Sequence, residues 1–169
     1  MTGVSLRPIV LDDWRRVHEW ASTEAACRHQ PWGPNDEADT RQFVVDALAA
    51  WTNTASTRRV WAAQTPTHGV IGLGELKILS VTHRQAEISY AVHTDLWGQG
   101  YGEAIALALV EVGRAEGMHR IAATCDPRNG ASARVLQKIG MSYEGRMRHT
   151  LHLRDGWRDS DVYALVIDT

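Results

Sequence analysis

The first third of the chain has the apolar pattern of one strand followed by two helices. Residues Val4–Ile9 predict a strand, and a helix follows that begins at Asp12 and continues through Ala21. The segment from Ser22 to Asp36 contains prolines and a glycine, which predict an extended loop before the second helix. The apolar faces of the two helices are formed by Trp14, Val17 and Ala21, and by Phe43, Val44, Ala47, Leu48 and Trp51.

Three apolar or alternating runs come next, and each predicts a strand. They are Arg58–Gln64, Val70–Leu79 and Ala86–Val92. The segments between them, Thr65–Gly69 and Ser80–Gln85, are short and rich in turn-forming residues. Consecutive strands joined by short turns predict an antiparallel meander.

The last part of the chain alternates between helical and strand patterns. It contains a helix at Glu103–Ala115, a strand at Arg120–Cys125, a helix at Gly130–Lys138 closed by Gly140, and two strands around Arg154–Gly156. The strand, helix, strand order requires a crossover that makes Ala86–Val92 and Arg120–Cys125 parallel. The predicted fold class is therefore α/β (α+β), with a mixed and mostly antiparallel sheet that contains one parallel pair.

Composition predicts one soluble globular domain, residues 1–169, and narrows its ligands. Of the 169 residues, 44% are hydrophobic and 22% are charged, and the net charge of -2 gives no basic excess for nucleic acid. No apolar run is long enough to span a membrane, and the N-terminus has no secretory apolar region. Cys27 and Cys125 stand far apart, so neither a disulfide framework nor a zinc site is indicated. We expect a cytoplasmic protein that binds neither nucleic acid nor membrane.

The most informative local feature is a glycine-rich turn between a strand and a helix. Gly98, Gly100 and Gly102 separate the strand that ends at Val92 from the helix that begins at Glu103. Glycine lets the backbone approach a ligand closely, and the first amides of a helix lack partners and lie at the positive end of its dipole. The turn therefore predicts a cradle for phosphates, although the same glycines are compatible with a tight turn alone.

The parallel strand pair beside this turn predicts a second binding feature. Where two neighbouring strands diverge, backbone amides and carbonyls of both are left free, and an extended ligand that carries amides can pair with them. Such a groove next to a phosphate cradle fits pantetheine joined to a pyrophosphate.

Two blocks of the sequence resemble the GNAT superfamily of N-acetyltransferases and, within it, the RimJ/RimL-like subgroup. The family's loop reads Gln/Arg-x-x-Gly-x-Gly/Ala; Gly100 and Gly102 match it, and Trp97 takes the first position. The block from Asn129 to Gly140 is similar to the subgroup's Asn-x-x-Ser-x-x-x-Leu-x-Lys-x-Gly. The resemblance extends from residue 4 to residue 167 and is weakest in residues 22–57.

The resemblance implies the GNAT fold, with about seven strands, a splayed parallel pair and about four flanking helices. It also implies acetyl-CoA as cosubstrate, no metal, and direct attack by a primary amine in a ternary complex. The amine must lose its proton before it attacks, and the departing thiolate benefits from a hydrogen bond.

Two side chains are assigned catalytic roles on this basis. Glu87 is expected to meet the substrate and accept the amine proton through water, or else it is an exposed strand residue; Glu75 is a weaker candidate. Many family members carry a tyrosine at the position of Leu136, which cannot donate a hydrogen bond. The resemblance therefore assigns the thiolate contact to Ser132, whose alternative role is a helix cap.

The resemblance also implies how the cofactor is held. The pyrophosphate is expected on the backbone amides of Gln99, Gly100, Tyr101, Gly102 and Glu103. Asn129 is expected to bind the pantetheine amide, to cap the following helix, or to do both.

The acceptor side is less defined by the sequence. The eight histidines show no metal-ligand spacing, and His149 falls on a strand that borders the acceptor cleft in this fold. Trp32 is expected to wall the acceptor site, or else to anchor packing. The expected partner is a small amine, such as an antibiotic or an amino acid derivative, or a protein N-terminus. A homodimer is compatible with such a fold, and the sequence leaves the oligomeric state open.

Two other functions fit parts of the pattern. A catalytically silent acyl-CoA-binding sensor domain needs only the backbone cradle, whereas Glu87 and Ser132 favour an enzyme. A dinucleotide oxidoreductase is disfavoured, because no acidic residue ends a following strand in the expected setting. The arginine-rich, lysine-poor composition suggests a GC-rich bacterial genome, in which acetyltransferases that modify antibiotics are common.

Overall fold

The computed structural model describes residues 3–167, which form one mixed sheet with helices on both faces. The predicted domain of residues 1–169 includes two residues at each end that lie outside the described residues. The strands are β1 (Ser5–Pro8), β2 (Arg58–Thr65), β3 (Gly69–Ser80), β4 (Gln85–Val92), β5 (Arg120–Cys125), β6 (Ser142–Leu153) and β7 (Gly156–Val166). The helices are α1 (Asp13–Ala21), α2 (Glu24–Cys27), α3 (Glu37–Thr52), α4 (Tyr101–Ala115) and α5 (Gly130–Lys138), and a 3-10 turn covers Thr94–Leu96.

The sheet has the strand order β1-β2-β3-β4-β5-β7-β6. Every neighbouring pair is antiparallel except β4 and β5, which are parallel and are connected through α4. The predicted fold class, the meander of β2, β3 and β4, and the single parallel pair are confirmed.

The parallel pair is short and opens into a wedge. Only Gln85–Glu87 pair with Arg120–Ala122, and the two strands separate beyond Glu87 and Ala122. Each strand keeps its other neighbour along its length, since β4 stays paired with β3 and β5 stays paired with β7. The wedge is therefore an opening inside a continuous sheet, with free backbone groups along its two inner edges.

Alternation along the strands gives the sheet two apolar faces. Leu76, Ile88 and Ile121 belong to the core that includes α4 and α5. Val60 and Leu73 belong to a second core with residues of α1 and α3. Successive side chains in a strand point to opposite faces of the sheet. Helices α4 and α5 therefore lie on one side of the wedge, and α1 and α3 lie on the other.

The region between α1 and α3 differs from the prediction, which placed a loop over Ser22–Asp36. A one-turn helix, α2, forms there because the Thr23 hydroxyl accepts a hydrogen bond from the Ala26 amide at 3.3 Å. The chain therefore has five α-helices among the described residues rather than about four. Within residues 3–167, no helix is long and apolar enough to cross a membrane.

Candidate active site

A cavity of about 840 Å³ runs through the wedge and is lined by residues from both faces of the sheet. On the α4 and α5 side its walls include Ile88, Tyr90, Cys125, Asn129 and Ser132. On the α1 and α3 side its walls include Trp20, His29, Trp32, Phe43, Leu73 and Glu75. One continuous space thus joins the two sides at the place where β4 and β5 separate.

The N-terminus of α4 lies beside this wedge and has free amides. Gly100 is the N-cap residue, its φ is +83°, and no described side chain caps this end. The first amide bonded within the helix is that of Ala104, which donates to the Gly100 carbonyl at 3.1 Å. The amides of the first turn, including those of Tyr101, Gly102 and Glu103, therefore have no helical partner, and their contact with a pyrophosphate stays a prediction.

Trp97 fixes the start of the glycine turn on the end of β4. Its indole nitrogen donates to the carbonyl of Val92 at 2.9 Å, and about half of the residue is exposed. The bond ties the turn to the strand edge at the wide end of the wedge. Trp97 thus positions the glycine turn beside the groove.

The N-terminus of α5 forms part of the opposite wall of the wedge. The side-chain carbonyl of Asn129 accepts a hydrogen bond from the Ser132 amide at 3.1 Å, so Asn129 is the residue that caps the helix. The Ser132 hydroxyl lies 3.3 Å from the hydroxyl of Tyr90 across the groove. Ser132 therefore presents its hydroxyl to the cavity rather than to the helix end.

Tyr90 is a site residue that the sequence did not indicate. Burial raises the pKa of the Tyr90 phenol, and the hydrogen bond with Ser132 partly opposes that rise. The phenol therefore stays protonated at neutral pH and can donate. In the sequence Tyr90 reads as an aromatic strand residue, and only its position opposite α5 reveals the contact.

Cys125 also lines the cavity, at the end of β5. Burial, together with the negative charges of Asp161 and Asp126, raises the pKa of its thiol to about 11. A thiol with that pKa is almost entirely protonated near neutral pH, and the protonated form is a poor nucleophile. The side chain therefore supports direct attack by an amine over a covalent enzyme intermediate.

The two carboxylates predicted as bases occupy different places. Glu75 lines the cavity, where its carboxylate binds Nη2 of Arg58 at 2.9 Å. Glu87 is not among the lining residues, and Oε1 of its carboxylate lies 3.4 Å from the hydroxyl of Thr124, which does line the cavity. Glu87 thus lies beside the narrow end of the wedge, and its role as base stays a prediction.

The two predicted acceptor residues are also separated. Trp32 lines the cavity. His149 is exposed, stacks on Trp157 with ring centroids 6.1 Å apart, and is not a lining residue. The register shift in β6 between Met147 and Leu151 accompanies this outward placement, and a substrate contact by His149 stays a prediction.

Arg154 holds the loop that lines the α1 and α3 side of the cavity. From the turn between β6 and β7, its guanidinium donates to the carbonyls of Cys27, at 2.5 Å, of Trp32, at 3.2 Å, and of Gly33. These carbonyls belong to the end of α2 and the loop that follows it, and that of Cys27 also accepts a hydrogen bond from the Gln30 amide at 3.0 Å. Arg154 thus fixes the backbone on both sides of the segment that carries His29 and Trp32.

Asp126 is the most buried charge at the cavity, with 2% of its side chain exposed. Burial by itself would raise the pKa of this carboxyl, but hydrogen bonds from the side chain and backbone of Arg128 outweigh that effect and lower the pKa to about 2. The contacts are at 2.8 Å from Nη2 and 2.8 Å from the backbone amide. Asp126 is therefore charged at every pH at which the protein would function.

Comparison with known proteins gives a consistent result for sequence and structure. Residues 4–142 match the family model described as an acetyltransferase (GNAT) domain. The uncharacterized N-acetyltransferase YnaD of Bacillus subtilis is 27% identical over 163 residues, which cover 95% of this chain and 92% of that protein. A crystal structure of a GNAT-family acetyltransferase from Bacillus anthracis is 28% identical, with a TM-score of 0.83 over 96% of this chain and 94% of that one.

A more distant structure has the same fold. RimL, the ribosomal L7/L12 alpha-N-protein acetyltransferase, was determined in complex with coenzyme A. It is 20% identical, with a TM-score of 0.87 over 99% of this chain and 96% of its own.

The low pKa of Asp126 predicts a pH-dependent contribution to stability. Its folded-state pKa of about 2 lies below the ordinary aspartate pKa of 3.8, so the charged group stabilises the fold above about pH 4 and that stabilisation is lost as the pH falls towards 2. Asp126→Asn should therefore be less stable than the unmodified protein at neutral pH, and the difference should narrow below about pH 4. Urea unfolding at a series of pH values measures this.

Asp12→Asn is the matched control, because 88% of the Asp12 side chain is exposed. Its free energy of unfolding should stay within about 0.5 kcal/mol of the unmodified protein at each pH. A difference between Asp126→Asn and the unmodified protein that is the same at all pH values would contradict the assignment.

Proposed function

The chain belongs to the GNAT family of acetyltransferases, and we propose that its acceptor is a small, positively charged primary amine. The predicted membership of the GNAT superfamily is confirmed by the match over residues 4–142. The protein is an acetyl-CoA-dependent N-acetyltransferase. We infer that its cofactor groove and its acceptor chamber belong to one cavity.

The observation that carries the proposal is the continuity of the cavity through the wedge. The cavity joins Asn129 and Ser132 on the cofactor side to Trp32 and Phe43 on the acceptor side. A volume of about 840 Å³ is within the usual range for small-molecule sites. The acceptor half is enclosed by α1, α3 and the loop that Arg154 holds, which favours a compact acceptor.

The residues around the wedge fit an elongated anionic cofactor. The free amides of Gly100 to Glu103 would hold its pyrophosphate, and the free edges of β4 and β5 beyond Glu87 and Ala122 would pair with the amides of its arm. Acetyl-CoA, when bound, supplies a thioester carbon that an amine can attack.

Ser132 and Tyr90 would hold the departing sulfur. The Ser132 hydroxyl can donate one hydrogen bond into the groove while it accepts one from the Tyr90 phenol, whose raised pKa keeps it a donor. A donor that is already oriented by a second hydroxyl needs little reorganisation when negative charge develops on the leaving group. Ser132 is therefore proposed as the contact to the thiolate.

The charges of the acceptor half support a cationic substrate. Among the lining residues there, Asp39, Asp46 and Glu75 are acidic, and Arg58 is already bound to Glu75. Phe43 and Trp32 add aromatic surfaces. Carboxylates and aromatic faces both attract ammonium groups.

Release of thiol from acetyl-CoA tests the proposed function directly. A thiol reagent is used to follow release with spermine, kanamycin, an amino acid amide and a peptide with a free N-terminal serine. We expect acceptor-dependent release with the small cationic amines. Release with the peptide alone would mean that the acceptor is a protein N-terminus rather than a small amine. No release with any acceptor would contradict the proposal.

The cofactor cradle is tested at Gly100. In Gly100→Ala, a side chain at φ +83° strains the turn by about 1–2 kcal/mol and turns the free amides away from their common direction. The dissociation constant for coenzyme A, measured by calorimetry, should rise about tenfold or more, which corresponds to ~1.4 kcal/mol.

Gly117→Ala is the matched control for this change. Gly117 lies at the other end of α4, has a φ of +75° and has no atom within 4 Å of an added Cβ, so the backbone strain is similar. Its affinity for coenzyme A should be unchanged. Equal losses of affinity in the two variants would contradict a role of the turn in binding.

The thiolate contact is tested with Ser132→Ala. Since the hydroxyl acts on the leaving group, kcat should fall about tenfold or more, and the affinity for acetyl-CoA should stay within about twofold. Ser142→Ala, at the exposed start of β6, is the control and should leave both values unchanged. An unchanged kcat in Ser132→Ala would remove the assigned role.

A further inference from the structure

His29 lies in the loop after α2 and lines the same cavity as Cys125 and Ser132. Its ring Nδ1 is 3.5 Å from Oδ2 of Asp126. Nδ1 is buried and has no hydrogen-bond partner among the described residues, whereas 23% of the side chain is exposed. One ring nitrogen thus faces a carboxylate, and Nε2 is the nitrogen left for the cavity.

Asp126 is a fixed partner for this ring. It follows Cys125 directly, at the end of β5 where the strand has separated from β4. Arg128 holds both carboxylate oxygens, through Nε to Oδ1 at 3.1 Å and through Nη2 to Oδ2 at 2.8 Å. The carboxylate therefore keeps its orientation without His29 and can impose an orientation on the imidazole.

Several charged groups lie around Asp126 and the loop that carries His29. Besides Asp126 and Arg128, Arg158 of β7 places Nε 3.9 Å from Oδ2 of Asp126, and Asp155 pairs with both arginines. From the turn between β6 and β7, Arg154 binds the loop through the Cys27 carbonyl. Two carboxylates and three guanidinium groups thus lie around this loop. Arg128 and Arg158 pair with the carboxylates, Arg154 binds backbone carbonyls, and the carboxylate within 4 Å of the His29 ring is that of Asp126.

We propose that His29, oriented by Asp126, is the general base that takes the proton of the acceptor amine. This inference rests on the proposed function. The sequence pointed to Glu87 for this role, but Glu87 does not line the cavity, and Glu75, which does, is bound to Arg58. His29 is the lining side chain whose chemistry suits a base near neutral pH, and it faces Asp126, the residue that follows Cys125.

With His29 as the base, every proton of the reaction is accounted for. One proton of the acceptor's ammonium group moves to Nε2 of His29, the freed lone pair forms a C–N bond to the acetyl carbon, and the C–S bond breaks with its electron pair going to sulfur. The second amine proton ends on that sulfur. The products are the acetamide, the thiol of coenzyme A, and one proton that His29 returns to solvent.

Asp126 is a positioning residue in this arrangement. A hydrogen bond from Nδ1–H to the carboxylate would fix the tautomer in which Nε2 carries the free lone pair. Nδ1 of His29 and Oδ2 of Asp126 are 3.5 Å apart, which is longer than a hydrogen bond, as is common for catalytic pairs before substrate binds.

The experiment measures kcat of His29→Gln as a function of pH. The acceptor is the one among spermine, kanamycin, the amino acid amide and the peptide that the unmodified protein acetylates. Glutamine keeps a polar side chain but takes up no proton. At neutral pH kcat should fall about 100-fold, and the loss should shrink as the pH approaches the amine's own pKa, about 8 for an α-amine and about 10.4 for an alkylamine. Added imidazole should restore part of the rate at neutral pH.

Two variants are measured alongside. His83→Gln, in the exposed turn between β3 and β4, should leave the profile unchanged. Glu87→Gln should change kcat far less than His29→Gln at neutral pH. If Glu87→Gln gives the pH-dependent loss instead, or if His29→Gln lowers kcat by the same factor at every pH, the inference is wrong.

A measurement on the unmodified chain covers the case in which His29→Gln folds poorly. Nitrogen-15 spectra of labelled histidine should show His29 as the Nδ1–H tautomer with coenzyme A bound, and Asp126→Asn should abolish that preference. A neutral Nε2–H tautomer in the unmodified protein would contradict the inference. Absence of thiol release by the unmodified protein would instead contradict the proposed function.

Discussion

The site depends on the early end of hydrogen bonding between β4 and β5. Three residue pairs join these strands, and beyond Glu87 and Ala122 each continues with only its outer neighbour. Because β4 stays hydrogen-bonded to β3 and β5 stays hydrogen-bonded to β7, the backbone groups that border the wedge keep fixed directions. The groove is therefore preorganised for an extended ligand, and little conformational entropy remains to be lost when one binds.

The remaining parts of the site are arranged around the two ends of this wedge. The glycine turn, tied to Val92 by Trp97, sets the N-terminus of α4 at the wide end. Asn129 caps α5 and so directs the Ser132 hydroxyl across the groove towards Tyr90. In the proposed site, backbone geometry holds the cofactor and a small number of side chains adds the chemistry. This division explains why a glycine-rich turn is informative in the sequence even though glycine has no functional group.

The sequence predicted local elements well and long-range contacts poorly. The bounds of β5 and α5 were predicted to the residue, because apolar alternation, an asparagine cap and a closing glycine are all local signals. The helix α2 was missed because one capping threonine decides it within a segment of turn-forming residues. The pairs Tyr90–Ser132 and His29–Asp126 join residues 42 and 97 positions apart, and no local pattern encodes such a contact. The sequence placed Glu87 on the strand that borders the wedge, but not its position relative to the cavity, which depends on where the strands separate.

The contacts of Arg154 have a consequence for how the protein is made. This arginine reaches carbonyls 121 to 127 residues earlier in the chain, and it lies at the tip of the hairpin that supplies the last two strands. During synthesis the glycine turn and both strands of the wedge leave the ribosome well before that hairpin does. Because β7, the outer neighbour of β5, follows Arg154 in the chain, the nascent chain completes the groove and tethers the loop after α2 in the same final step of synthesis.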